Sequence, residues 1–291
     1  MSDLPNVSVI VPVYNAQETI RECIDSLLQL NYPKANLELI FVNNGSTDGT
    51  PAILEQYSND IQILHEAKRG PAAARNKGVL NANGEIVAFT DSDCVVDKDW
   101  LLHLIPPLED RVVGIVGGTI LAKRPCNEIE RFGEAIHDHD MAIHSYRPPY
   151  VTTMNWTSRL YVLKELSLFD ESFTRCEDVD LSYRILQSGY RFVFEPQAII
   201  YHKNERTYSG LFLEGLLHGF YAVQTLKKHR EFLKTFRYHR LNGRSYIALV
   251  SSLIHYLFGK ESDRSICYFI FNSGKKLGKI FGSLRFLYLD L

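Results

Sequence analysis

The first hundred residues alternate between apolar runs of strand length and segments with helical spacing, and this alternation restricts the fold more than any other feature of the chain. Val7–Val13 (VSVIVPV) is continuously apolar, as expected of a strand covered on both faces. Asn15 reads as a helix N-cap, with Glu18 three residues later completing a capping box. Ile20, Cys23, Ile24, Leu27 and Leu28 then form one apolar stripe. A second strand, Glu38–Asn43, ends in the turn Asn44-Gly45-Ser46, and Thr50 caps a helix that opens with Pro51. Ile61–His65 reads as a third strand, Ala72–Leu80 as a helix, and Glu85–Thr90 as a buried strand running into Asp91-Ser92-Asp93. Such alternation implies an α/β protein with a doubly wound, mostly parallel sheet. Ligands of such sheets bind beyond the carboxyl ends of the strands, where Asn43-Asn44 and the Asp91–Asp93 triplet both fall.

Two aspartates at a strand end suit a divalent cation bridging a diphosphate, because hard carboxylate oxygens take Mg²⁺ or Mn²⁺. The same triplet also fits a turn in which the aspartates cap backbone amides. A second acidic group, Glu177-Asp178 with Asp180, precedes the helix Leu181–Gln187, which Gly189 terminates. One of these carboxylates is able to act as a base towards an acceptor hydroxyl, whereas first-turn acids also compensate a helix dipole. Asp180 suits the second role better than Asp178. His202 closes the strand Ala198–His202 and offers an imidazole that would complete a metal shell with Asp93 or serve a structural purpose.

The remainder of the pattern is looser. Val112–Leu121 is strand-like, Glu128–His144 helical, and Arg191–His202 holds one or two strands interrupted at Pro196. His137-Asp138-His139-Asp140 with His144 lacks metal-binding spacing and reads as a polar helix face. The net charge of −2 conceals an asymmetry: residues 203–291 carry 15 Lys+Arg against 6 Asp+Glu, a net of +9. From Tyr208 onward the pattern is helical, with Leu213, Leu216, Leu217, Phe220 and Val223 on one face. Tyr246–Phe258 is too short to span a bilayer, and Arg240, Arg244, Lys260, Lys275, Lys276 and Lys279 surround it. A helical subdomain packed on the rest of the chain or on a second subunit accounts for this region. Contact with an anionic membrane surface accounts for it as well.

Five scattered cysteines without CxxC spacing argue for reduced thiols and against a thiolate zinc site. No signal peptide or 18-residue apolar stretch is visible, so a cytoplasmic protein is expected, with the cytoplasmic face of a membrane as an option. No nucleic-acid recognition motif accompanies the basic tail.

Taken in order, VSVIVPVYN (7–15), NNGSTDGT (43–50), RGPAAARNKG (69–78), DSD (91–93), FDESF (169–173), EDVDLSYR (177–184) and GYRFVFEP followed by IIYH (189–202) resemble the family 2 glycosyltransferases of GT-A fold. The resemblance implies a Rossmann-like GT-A catalytic domain over residues 1–205, with a nucleotide-sugar half to about 110 and an acceptor half over 111–205. A basic, aromatic-rich helical extension follows over 206–291. It also implies an inverting transfer from a nucleotide-diphosphate sugar to a hydroxyl of a saccharide or lipid-linked saccharide acceptor. Asp93 then resembles the metal-binding aspartate, with His202 beside it, and Asp91 and Ser92 its donor-side partners. Asp178 resembles the catalytic base, with Glu177 supporting it. Arg75 falls where the family contacts the nucleotide, and Pro12, Val13 and Tyr14 where it lines the base pocket. Asn155, Trp156 and Arg159 match a stretch that contacts the acceptor. Asn43 departs from the usual aspartate: its carbonyl still accepts a bond from a uracil imide but without charge assistance, which leaves UDP first and GDP or dTDP open. A sugar nucleotidyltransferase would have a Gly-rich basic loop where Pro12-Val13-Tyr14-Asn15-Ala16 stands, and a non-catalytic binding module would have no use for five intact acidic and histidine positions.

Overall fold

The computed structural model describes residues 4–236, 243–258 and 262–290. Arg240 and Lys260 lie outside the described residues. In chain order the elements are β1 (Val7–Val13), α1 (Ile20–Leu28), β2 (Leu37–Asn43), α2 (Thr50–Glu55), β3 (Gln62–His65), α3 (Pro71–Asn81), β4 (Ile86–Phe89), β5 (Cys94–Val96), α4 (Trp100–Leu104), β6 (Val113–Ala122), α5 (Glu128–Ile136) and α6 (His139–His144). There follow β7 (Trp156–Arg159), α7 (Leu160–Glu165), α8 (Glu177–Gln187), β8 (Arg191–His202), α9 (Tyr208–Lys228), α10 (Arg230–Thr235), α11 (Gly243–Leu257) and α12 (Ser262–Phe286).

All eight strands form one sheet in the order β3-β2-β1-β4-β7-β6-β8-β5. The stretch β3-β2-β1-β4 is parallel throughout, whereas β7 runs antiparallel to both β4 and β6, and β5 antiparallel to β8. Both faces of β1 are covered, which explains its unbroken apolar sequence. Val7, Val9, Val11 and Val13 pack with Ile20, Cys23, Ile24 and Leu27 of α1. Ile10 points the other way, into a core shared with Ala72, Ala74 and Val79 of α3. The in-register pairs Pro12↔Val42 and Val13↔Asn43 bring the carboxyl ends of β1 and β2 to one level.

The chain divides into two compact units, Met1–Leu121 with Asp138–His202, and Ala122–His137 with Lys203–Leu291. The helical stretch read over Glu128–His144 is therefore two helices in different units: α5 joins the C-terminal helices, and α6 stays with the sheet. Strand β8 runs through Pro196 without a break.

In the second unit α9 and α12 run parallel with their main chains in close contact. A Cβ added to Gly215 or Gly219 of α9 would lie 2.1 Å from the Phe271 carbonyl or 1.9 Å from that of Lys275. One added to Gly274, Gly278 or Gly282 of α12 would lie 2.3, 2.0 or 2.5 Å from the carbonyls of Phe212, Leu216 or Phe220. Only glycine permits that approach at these positions.

Two local expectations at the first turn need correction. Asn15 does not cap α1, which begins at Ile20. It adopts a left-handed φ of 48° and accepts a hydrogen bond from the Thr47 amide at 2.8 Å, tying the turn after β1 to the turn after β2. Thr50 lies inside α2, where its hydroxyl accepts from the Ala16 amide at 2.8 Å, and Asp48 accepts from the Thr50 amide.

Candidate active site

The acidic triplet follows β4, and the strand pairing of β5 with β8 sets which side chain stands beside it. In that pairing Cys94 stands opposite His202. Asp93 immediately precedes Cys94, and its Oδ2 lies 3.5 Å from His202 Nε2. Burial opposes ionisation of Asp93, but His202 beside it and local hydrogen bonds outweigh this and hold the carboxyl below its ordinary value. Asp93, Cys94 and His202 can bring one ligand atom each to within 4.8 Å of one another. Burial pushes the Cys94 thiol well above its ordinary value, so it stays protonated and donates towards Asp93 Oδ1 at 3.7 Å.

A buried arginine links this loop to the second acidic group. Arg75 of α3 is 4% exposed. Its Nη2 donates to Asp91 Oδ1 at 2.8 Å and its Nη1 to Glu177 Oε1 at 2.5 Å. The sequence places Arg75 against the nucleotide. In the structure both ends of its guanidinium are committed to carboxylates, and Nε is buried without a hydrogen-bond partner. Glu177 opens α8, and burial pushes its carboxyl up to about 7 despite the opposing pull of Arg75. Asp178 is likewise raised by burial, with Arg75 and two backbone amides pulling the other way. Those amides belong to Val179, at 2.8 Å from Oδ1, and Thr153, at 3.3 Å from Oδ2. Asp180, by contrast, is fully buried and pairs with Arg184 at 2.9 Å.

At the ends of β1 and β2, Pro12 is half-buried and Val13 and Asn43 are buried, while the ring of Tyr14 is 52% exposed. The Asn43 carbonyl accepts from the Ser46 amide at 3.0 Å. Asn44 anchors the neighbouring loop by donating to the carbonyls of Glu66 and Lys68 and accepting from the Gly70 amide. Arg69, which sequence reasoning missed, lies over the Tyr14 ring at 4.6 Å from its centroid. Its signal was its place at the head of the RGPAAARNKG stretch.

Of the three residues expected at the acceptor, Asn155 and Trp156 are buried and Arg159 is half-buried. Asn155 is fully buried, accepts from Trp100 Nε1 at 2.8 Å and donates to the carbonyls of Thr119 and Ala198. Trp156 is also fully buried, packed among Phe89 and Phe169 with ring centroids 5.7 Å away in each case. Arg159 donates to the backbone carbonyls of Leu108, Arg111 and Val113. These side chains hold β7 in the sheet. Near Asp178 the phenol of Tyr150, half-buried, is raised well above its ordinary value by desolvation and by nearby Tyr146. Tyr146 is 42% exposed and stacks on Tyr150 at 5.8 Å. The His137–His144 stretch forms no cluster: His139 bonds to the Gly118 carbonyl and Thr152, His144 pairs with Asp140, and His137 belongs to the other unit, beside Glu214.

Residues 8–169 match the family Glycosyl transferase family 2. Among curated proteins, the glycosyltransferase AglE of Haloferax volcanii is 32% identical over 207 residues, covering 69% of this chain and 68% of that one. The chain spans about half or less of other curated relatives it matches. Among solved structures, the mannosyltransferase PcManGT from Pyrobaculum calidifontis in complex with GDP-Man and Mn²⁺ superposes with a TM-score of 0.73 at 21% identity, covering 97% of this chain and 88% of that one. S. aureus TarS 1–349 in complex with UDP gives 0.59 at 20% identity, covering 96% and 91%. These two likenesses concern the fold, which is that of the GT-A glycosyltransferases. The match over most of the chain's sheet, together with the AglE identity, establishes that this protein belongs to glycosyl transferase family 2 and is a glycosyltransferase.

Proposed function

We propose that the protein transfers a sugar, with inversion, from a nucleotide-diphosphate donor to a hydroxyl group of a saccharide or lipid-linked saccharide. The observation that carries this reading is the Asp91–Arg75–Glu177 bridge, which fixes the strand-end acidic loop against the helix bearing Asp178.

Asp178 is the general base. Its oxygens accept only two backbone bonds in the described structure, and burial raises its affinity for a proton, both favourable to proton abstraction. As the acceptor oxygen bonds to the anomeric carbon, Asp178 takes its proton. The bond from that carbon to the diphosphate breaks, and the electron pair leaves with the nucleotide. Asp93 and His202 would hold Mn²⁺ or Mg²⁺, which when bound neutralises charge on the departing diphosphate. Asp91, already paired with Arg75, and Ser92 border the ribose and diphosphate. Arg75 acts as a positioning residue for the two carboxylates.

Pro12, Val13, Tyr14 and Asn43 line the nucleobase pocket. The Asn43 carbonyl is occupied by the Ser46 amide, so it is a weaker acceptor for a uracil imide than a carboxylate would be. Both GDP- and UDP-bound neighbours share the fold, which keeps UDP-sugars and GDP-sugars as donor candidates. The test is Mn²⁺-dependent turnover of UDP-, GDP- and dTDP-sugars by the purified chain. Turnover of one donor class, abolished by chelation, is the expected result, and binding of no nucleotide sugar in the presence of Mn²⁺ would remove the proposal.

A further inference from the structure

The second unit presents its apolar side chains outward. Helix α11 shows this most clearly: Ile247, Val250, Ile254, Leu257 and Phe258 are 71%, 57%, 46%, 66% and 77% exposed. Their spacing places them on one stripe of the helix. Ser252, a polar residue, is the side chain that turns inward, at 8% exposure. From Ser245 to Phe258 the sequence contains no Asp, Glu, Lys or Arg. The last turns of α12 and the residue after it continue the theme, with Phe281, Leu284 and Leu287 at 47%, 71% and 85% exposure.

A helix in water has the opposite arrangement, and exposed apolar patches of this kind mark a surface that meets something apolar. The packing of α9 on α12 points the same way independently. Those helices are held by main-chain approach at Gly215, Gly219, Gly274, Gly278 and Gly282. That mode of association recurs where helices lie in lipid and needs no core of large side chains between them. The unit's buried core is correspondingly small, built around Phe132, Leu211, Cys267 and Phe271.

We propose that α11 and the C-terminal end of α12 form a face that embeds in the interfacial layer of an anionic lipid bilayer. Charge selects lipid over face-to-face pairing with the same face of a second copy. Residues 203–291 carry a net charge of +9, which repels a like unit and attracts acidic headgroups. Length selects an in-plane position over a crossing one: a helix of α11's extent, Gly243–Leu257, is about 22 Å long at ~1.5 Å per residue, short of a hydrocarbon core of ~30 Å. No helix among the described residues is long and apolar enough to cross a membrane. The face is therefore that of a helix lying in the interface, apolar side in the acyl boundary and basic flanks at the headgroups.

Flotation of the full chain with phosphatidylcholine vesicles, with and without phosphatidylglycerol, tests this. The expected result is flotation with the anionic vesicles, weakened by salt and reduced about ten-fold or more by I247S/I254S/L257S. The far-UV circular dichroism and oligomeric state of that variant stay unchanged. A membrane-partitioning photo-label on the unmodified protein provides a reading independent of any variant, and it should mark α11. Failure to float with anionic vesicles, labelling that misses α11, or a concentration-dependent dimer that the same substitutions dissolve would each overturn the proposal.

Discussion

Asp91 and Glu177 are held on a single guanidinium: Arg75 Nη2 lies 2.8 Å from Asp91 Oδ1 and Nη1 lies 2.5 Å from Glu177 Oε1. One buried cation thereby fixes the spacing between the donor-side loop after β4 and the first turn of α8. Arg75→Ala leaves buried Glu177 and half-buried Asp91 without their shared partner, and a loss of about 3–5 kcal/mol in unfolding free energy is expected, read by urea denaturation. Arg75→Lys retains the charge but cannot span both acceptors with a rigid fork. It should unfold at higher urea than Arg75→Ala yet still lose turnover.

The metal assignment makes a separate prediction. Asp93→Ala should abolish the dependence of turnover on Mn²⁺ by removing turnover itself. His202→Ala should raise the Mn²⁺ concentration needed for half-maximal activity by about 10–100-fold, as loss of one supporting ligand does. Titration of activity with Mn²⁺ after exhaustive chelation measures both.

The raised carboxyl of Glu177 gives stability a pH dependence of known sign. Its value in the folded protein is about 7, against an ordinary 4.5, so the folded state binds more protons than the unfolded state between those values. Stability contributed by this group therefore falls as pH rises through that window. Glu177→Gln removes the group, and the difference in melting temperature between variant and parent should grow in the variant's favour from pH 5 to pH 7, because the value near 7 already includes the attraction of Arg75.

The α9–α12 contact is equally testable. Gly219→Val places a branched side chain where a Cβ would already lie 1.9 Å from the Lys275 carbonyl. The two helices have to separate, and protection of their amides from hydrogen exchange should drop across residues 208–228 while that of β1 and β4 is preserved.

Much of this architecture was legible because local sequence and burial agree. β1 is buried on both sides, so its apolar run carries the signal undiluted, and the strand-end position of Asp91–Asp93 follows from the β4 pattern that precedes it. His202 was legible as a strand end, although its proximity to Asp93 depends on the β5–β8 register, which no local pattern encodes. Asn155, Trp156 and Arg159 stood out by resemblance alone, whereas the structural use of β7 rests on polar residues at core positions, Thr157 and Ser158. Those residues are satisfied by distant carbonyls: Thr157 donates to Val87 and Ser158 to Gly114. Such partners are invisible until the sheet is assembled. The double contact of Arg75 was illegible for the same reason, since its two carboxylate partners come from elements far away in sequence. Cys176, which enters α8 with a left-handed φ of 66°, carries no sequence signal of that conformation either.

The central claim, that Asp178 takes the acceptor proton while the donor is held elsewhere, is tested most directly by Asp178→Asn. Donor affinity from calorimetry in Mn²⁺ and the rate of sugar transfer are measured on the same preparation. The account predicts donor binding within a few-fold of the parent and transfer slowed by about 10²–10⁴-fold. Transfer at the parental rate with intact donor binding would contradict it.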